Sequence, residues 1–174
     1  MSSGARDPVT VRMGSSTDVD AALSIYLRSN LVRRQGRAIP AERMEQVADN
    51  LRNPLTWFVI ADAGGESVGM ALAMPAREDA GAGPLIPGAC YLDLIYVLPD
   101  RWGEGIGGVL LDGVLDEARR RGYSRVQLST HEDNDRSQRL YRSRGFSPAG
   151  DARVNDAGDR VGEWARNLDE SEPA

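Results

Sequence analysis

Tyr91-Leu-Asp-Leu-Ile-Tyr-Val97-Leu-Pro-Asp-Arg-Trp-Gly-Glu-Gly-Ile-Gly-Gly108 is the stretch that decides the fold. Its first part belongs to an apolar run from Ala89 to Leu98 broken only by Asp93, which reads as a buried strand. Its second part places glycine at 103, 105, 107 and 108, four in six positions. An amphipathic helix then runs from Gly105 to Arg121: Ile106, Leu110 and Val114 share one stripe, with Leu111, Leu115 and Ala118 beside it. Such a turn lets backbone N–H groups converge at a helix N-terminus, a geometry that holds phosphate through dipoles and donors. Close helix–strand packing alone would need only one glycine.

Spacing discriminates among the folds that use such a turn. Gly103, Gly105 and Gly108 satisfy G-x-G-x-x-G, the fingerprint of dinucleotide binding. In that fold, however, the strand feeds the first glycine almost directly, and here Leu98 to Trp102 intervene, with Pro99 among them. Too little chain follows for a doubly wound sheet. The phosphate-loop pattern fails as well, because Val109 follows Gly108 where a lysine is required.

A second block lies downstream: Asn134-Asp-Arg-Ser137-Gln-Arg-Leu140-Tyr141-Arg-Ser-Arg-Gly145-Phe146. With Ile95-Tyr-Val-Leu-Pro99 and Trp102-Gly-Glu-Gly-Ile-Gly107, it resembles the GNAT N-acetyltransferase superfamily. Members of that superfamily share Leu-x-Val-x-Pro, then [RQ]-x-x-G-x-[GA], then Asn and Leu-Tyr-x-x-x-Gly-Phe. Trp102 departs from the Arg or Gln of the pattern. Arg101 lies next to it, and backbone donors dominate such a turn. The resemblance implies an α/β (α+β) fold with a central mixed, mostly antiparallel sheet of six to seven strands. About four helices flank the sheet, with a splay between strands 4 and 5.

The rest of the chain suits that order. Val9 to Met13 reads as a strand, and Ser15 to Asp18 offers caps for a helix with Val19, Ala22, Leu23, Tyr26 and Leu27 on its apolar face. A second helix follows Pro40 and stops at Asn53-Pro54, with Met44, Val47 and Leu51 at helical spacing. Thr56 to Ala61 and Ser67 to Met74 form a hairpin about Gly64-Gly65. Prolines and glycines from Pro75 to Ala89 predict a long loop. Asp116–Arg120 and Glu117–Arg121 are i,i+4 pairs on the next helix. Arg125 to Ser129 is a strand, Asn134 to Arg144 a helix, and Ser147 to Arg153 with Gly162 to Leu168 a final hairpin. Residues 1–8 read as a flexible N-terminus, 9–168 as one N-acetyltransferase domain and 169–174 as a disordered acidic tail.

Composition narrows function further. The chain has 174 residues, 41% apolar and 27% charged, with a net charge of −5, which disfavours nucleic acid and anionic membranes as partners. All 21 basic residues are arginine, so mechanisms that need a phosphate-binding or Schiff-base lysine are excluded. A single cysteine, Cys90, and a single histidine, His131, supply neither a disulfide framework nor a structural zinc site. No metal is expected. Cys90 reads as a small buried hydrophobe. No apolar run spans a membrane and no signal peptide opens the chain, so a cytoplasmic setting is expected.

What the resemblance implies is acetyl-CoA as cosubstrate. Its pyrophosphate would lie on the turn of Arg101, Trp102, Gly103, Glu104, Gly105, Ile106, Gly107 and Gly108. Its pantetheine arm would pair with Ile95, Tyr96 and Val97 like an added strand. Asn134, Ser137 and Tyr141, spaced i, i+3, i+7, line one helix face roughly 10 Å long. The first two would hold the cosubstrate, and the Tyr141 hydroxyl would protonate the departing sulfur. Asp93 interrupts an apolar strand, which is costly without a partner or a task. It is the candidate base, and an ion pair with an arginine is the competing reading. His131 reads as a loop histidine.

The acceptor, a primary amine of a small molecule or a peptide N-terminus, would enter between residues 26–45, 75–89 and 153–162. Arg28, Arg33, Arg34 and Arg37 there suit a carboxylate or phosphate, or form a solvated surface. Two alternatives stand beside an N-acetyltransferase working by direct attack in a ternary complex. One is a CoA-binding regulatory module without catalysis, and the other is the disfavoured dinucleotide oxidoreductase. A homodimer is compatible with the resemblance.

Overall fold

The computed structural model describes residues 7–155 and 158–168. The expectations for residues 1–6 and 169–174 lie outside the described residues. In chain order the elements are β1 (Val9–Met13), α1 (Val19–Arg33), α2 (Ala41–Arg52), β2 (Trp57–Ala63), β3 (Glu66–Arg77) and β4 (Leu85–Val97). There follow α3 (Ile106–Arg120), β5 (Arg125–His131), α4 (Asp135–Ser143), β6 (Ser147–Pro148), β7 (Arg153–Val154) and β8 (Arg160–Asn167).

All eight strands lie in one sheet of order β1-β2-β3-β4-β5-β8-β6, with β7 also paired to β8. Every pairing is antiparallel except β4 with β5. That parallel pair is short: it joins Ala89–Leu92 to Arg125–Leu128 and stops. On the other edge of β4 the register with β3 slips at the same place. Leu72 faces Leu94 and Ala73 faces Leu92, so Asp93 is the extra residue of a β-bulge. A bulge breaks the ladder locally and re-aims the side chain it carries. From Asp93 onward β4 and β5 part, and this is the expected splay.

Helices pack where their apolar stripes dictate. In α3, Ile106, Leu110, Leu111, Val114, Leu115 and Ala118 are all buried, against β1 to β4. In α1 the buried face is Val19, Ala22, Ile25, Tyr26 and Ser29, one step round the helix from the stripe expected through Leu23 and Leu27. Gly108 has a packing reason. The Arg144 guanidinium crosses α3 where a Cβ would stand and pairs with Asp112 at 3.0 Å, which ties the end of α4 to α3.

The N-terminus of α1 is tied to the sheet by charge. Arg12 of β1 donates to both oxygens of Asp18 at 2.8 and 2.9 Å and to Asp62 of β2 at 2.6 Å. Hydrogen bonds from Arg12, helped by the Ser15 backbone N–H, hold the Asp18 carboxyl down at about 2. Cys90 sits fully buried in the core, as expected, and burial pushes its thiol up to about 12.

Three local expectations change. The loop read over Pro75 to Ala89 is largely strand: β3 runs to Arg77, β4 begins at Leu85, and Arg77 pairs with Leu85 to close the connection. Pro75 keeps a place in register opposite Cys90, and Pro87 falls where the register between Pro75 and Arg77 is irregular, as a bulge allows. The strand read over Ser147 to Arg153 is two short pieces, β6 and β7. On α3, Asp116 pairs with Arg119 at 3.3 Å, and Glu117 takes both Arg120 and Arg121, so no Asp116–Arg120 pair forms.

Candidate active site

Two cavities flank β4 where it parts from β5. The first, about 410 Å³, lies at the end of β4, over the glycine turn and the first turns of α3 and α4. Of the residues named from sequence, Ile95, Tyr96, Val97, Arg101, Trp102, Gly103, Gly105, Ile106, Gly107 and Gly108 line it. Asn134, Ser137 and Tyr141 line it from α4. Glu104 is not among the lining residues; its carboxylate pairs with Arg101 at 3.7 Å. An acidic group there would repel an anionic ligand, so its place outside is what charge requires.

The turn itself is built by backbone conformation. Gly105, the residue before α3, has φ +80°, and Gly103 has φ +85°. A Cβ at either position would meet no atom within 4 Å. Glycine is therefore needed for the left-handed backbone, and the space above it is open. Arg33, Arg101 and Arg136 line this cavity and no carboxylate does, so its walls are net positive even with Arg101 partly offset by Glu104, which suits an anion.

Trp102, the departure from the family pattern, has its own role. Its indole N–H donates to the Val97 carbonyl at 2.8 Å, and the guanidinium of Arg136 lies 5.7 Å above its ring. The Ser29 hydroxyl donates to the same Val97 carbonyl at 2.9 Å. Leu98 gives its N–H to Val68 of β3, so alternation turns the Val97 N–H and carbonyl to the edge away from β3. With both lone pairs of that oxygen engaged, the Val97 N–H is left to donate on this edge.

On α4, the Asn134 side-chain oxygen accepts from the Ser137 N–H at 3.1 Å and caps the helix. Its amide nitrogen is left for the cavity. Tyr141 is buried between Phe146 and Trp164, ring centroids 6.0 and 6.5 Å away. Its hydroxyl makes no hydrogen bond among the described residues. Burial pushes that hydroxyl up to about 12, so it carries its proton at neutral pH, the form a proton donor needs.

The second cavity, about 690 Å³, lies between α2, the β3–β4 connection and the strands β4, β5, β7 and β8. Asp93 lines it, aimed there by the bulge. Its Oδ2 is buried without a hydrogen bond, and burial raises the carboxyl, opposed by the charge of Arg43. Asp93 thus has no ion-pair partner among the described residues, although the charge of Arg43 acts on it. Tyr91, on the same wall, donates to Ser129 at 2.8 Å, and Ser129 donates to Glu163 at 2.7 Å.

The arginines expected to meet an acceptor are elsewhere. Arg33 lies 5.9 Å over the Tyr96 ring in the first cavity, and Arg34 and Arg37 bond to backbone carbonyls of their own loop. Arg43, Arg77, Arg125 and Arg153 line the second cavity instead. His131 ends β5, half exposed beside Asp159 at 4.0 Å, and lines neither cavity. Sequence reading missed Ser29, Arg136 and Arg43, and gave Arg33 to the acceptor rather than to the first cavity. Ser29 alone carried a signal, a polar residue at the next turn of the Ala22–Ile25–Tyr26 stripe.

The profile of the acetyltransferase (GNAT) family matches residues 21–146, nearly three quarters of the sequence. The chain belongs to that family. A doubly wound dinucleotide fold is thereby excluded. Mycothiol acetyltransferase of Beutenbergia cavernae is 44% identical over 57 residues, 31% of this acetyltransferase-family chain and 19% of that protein. The match thus spans about a fifth of that relative's length. The structure of the ribosomal-protein-S18-alanine N-acetyltransferase from Escherichia coli superposes with a TM-score of 0.72 at 22% identity, covering 96% of this chain and all of that one. The Salmonella typhimurium protein yncA, solved with its cofactor acetyl-CoA, gives 0.72 at 22% identity over 96% of this chain and 98% of its own. Among the described residues, no helix of this GNAT protein is long and apolar enough to cross a membrane.

Proposed function

We propose that this protein is an acetyl-CoA-dependent N-acetyltransferase. It moves the acetyl group to the primary amine of a small molecule or a peptide N-terminus by direct attack in a ternary complex. One observation carries the reading: a single strand, β4, contributes to both cavities, with Ile95 to Val97 in one and Asp93 in the other. Two reactants held in the two cavities meet where β4 leaves β5.

Acetyl-CoA fits the first cavity by the chemistry of its walls. The glycine turn offers open space above left-handed backbone, three guanidiniums face it, and the Val97 N–H is uncommitted. Once bound, the thioester supplies an activated acetyl carbonyl. Residues of this chain do the rest. Arg33, Arg101 and Arg136, with the turn amides, hold the phosphates. The Val97 N–H polarises the carbonyl oxygen. Asp93 takes the proton of an ammonium, which at neutral pH is the dominant form of an amine with a reference pKa near roughly 10. As the N–C bond forms and the C–S bond breaks, Tyr141 gives its proton to the sulfur; the nitrogen sheds its second proton to solvent, which also takes the proton from Asp93 and restores Tyr141. Cys90 is unpaired in the core, which suits a reducing cytoplasm.

Thiol release with a panel of primary amines tests this, with Asp93→Asn as the decisive variant. The variant keeps the shape and loses the proton acceptor. Its kcat/KM falls by roughly 10²-fold or more, while the melting shift given by acetyl-CoA stays, and activity recovers in part at high pH as free amine becomes available. An acetyl-CoA melting shift without thiol release from any amine would instead mark a CoA-binding module without catalysis.

A further inference from the structure

In the reading above Asp93 meets the amine, and the rest of the same cavity constrains what that amine is attached to. Four arginines line the cavity. Among the described residues only Arg153 of the four is paired with a carboxylate, Glu163 at 3.5 Å. Arg77 donates to the Gly83 carbonyl at 3.3 Å, Arg125 to Asn167 at 3.4 Å, and Arg43 to the Tyr26 hydroxyl at 3.3 Å and to Gln46 at 2.8 Å, all neutral groups. Of these three, Arg43 is the one whose charge acts on the Asp93 carboxyl.

Asp93 is the counterpart of Arg43. The two groups influence each other's protonation across the cavity yet form no ion pair. A buried carboxylate oxygen that senses but does not touch a half-buried guanidinium is costly unless something bridges the two. The Arg153 Nε is also buried and without a hydrogen-bond partner. The walls thus present one unanswered acceptor, Asp93, and several cationic donors, while Glu163 is taken up by Arg153 and Ser129. Glu78 and Asp79, which also line the cavity, are exposed.

We infer that the acceptor is an amino acid, its ammonium on Asp93 and its carboxylate on Arg43. The Nε–H of Arg153 is a further donor to oxygens of the same molecule. A diamine would set its second cation against Arg43, and a simple alkylamine would leave Arg43 unanswered. This inference rests on the transferase reading, since it takes Asp93 as the residue that meets the amine.

The test compares thiol release for the common L-α-amino acids, for the amines that remain when their carboxylate is removed, and for diamines. The best amino acid exceeds its decarboxylated counterpart in kcat/KM by about tenfold or more, the effect of one charge-assisted contact. Arg43→Gln brings that ratio toward one, chiefly through KM, while Arg43→Lys keeps most of it. If Arg43→Gln does not fold, the wild-type panel and Arg43→Lys still decide. Calorimetric titration of the same amino acid into protein loaded with CoA gives a readout independent of turnover. Binding there without thiol release from acetyl-CoA would retain the slot and overturn the transferase. Faster turnover of diamines, a ratio unchanged in folded Arg43→Gln protein, or no binding of any amino acid overturns the slot, and in the first two cases acetyl transfer stands.

Discussion

The indole N–H of Trp102 is hydrogen-bonded to the carbonyl oxygen of Val97 at 2.8 Å, closing the glycine turn back onto the end of the strand that feeds it. Ser29 occupies the other lone pair of that oxygen, so loop, strand and α1 converge on one atom. Trp102→Phe and Ser29→Ala each leave the carbonyl one donor and cost about 1 kcal/mol or less. The double variant leaves a half-buried carbonyl unsatisfied and costs more than the sum of the two. Thermal unfolding of the four proteins in a double-mutant cycle measures this. Additive losses would show that the two donors act independently.

Gly105→Val places a β-branched side chain on left-handed backbone and fills the space above the turn. The expected cost is roughly 1–3 kcal/mol of stability, together with loss of the melting shift that acetyl-CoA gives the parent protein. A folded variant with the parental shift would remove the turn from the binding site.

Tyr141→Phe removes one hydroxyl that has no protein partner, so stability at neutral pH and acetyl-CoA affinity hold while kcat falls by roughly 10²-fold or more. The same group sets an alkaline limit. Its ionisation is held back to about 12 in the folded protein, against about 10 in the unfolded chain. The stability tied to its protonated form is thus complete below about pH 10 and is lost as pH rises toward 12. Denaturant midpoints between pH 9 and 12, compared with the variant, measure it, and parallel curves would contradict it.

At the acid end, Asp18 behaves in the opposite sense. Its carboxyl sits at about 2 in the folded protein against an ordinary 3.8. The stability from its pair with Arg12 is therefore present above about pH 4 and lost as pH falls to 2. Because Arg12 is nearly half exposed, about 1 kcal/mol is expected. Asp18→Asn should lose that amount at pH 7 and nothing near pH 2, read from urea midpoints at the two values.

Long, strongly patterned elements were legible in the sequence. The stripe of α3 follows from helical periodicity, β4 from its apolar run, and the face of α4 from the i, i+3, i+7 spacing that carries Asn134, Ser137 and Tyr141 to one cavity. The aim of Asp93 was not legible. It depends on one extra residue in a ladder, which appears only when β3 and β4 are set side by side. Pro75 and Pro87 misled for a related reason, since proline opposes a strand only where a regular ladder bond would form. Arg43 was overlooked because nothing local distinguishes it from Arg28, Arg33, Arg34 or Arg37. Its place follows from how α2 lies on the sheet.

Cys90 and the arginine-only basic set have a joint consequence for a protein that would spend its life beside a reactive thioester. Amines and thiolates are the side chains such an acyl donor modifies. Here there is no lysine amine at all, and the one thiol is shut in the core with its proton held to about 12. The side chains of this protein therefore offer neither an amine nor an accessible thiol to self-acylation. In a thiol-release measurement the folded protein itself therefore contributes no thiol signal.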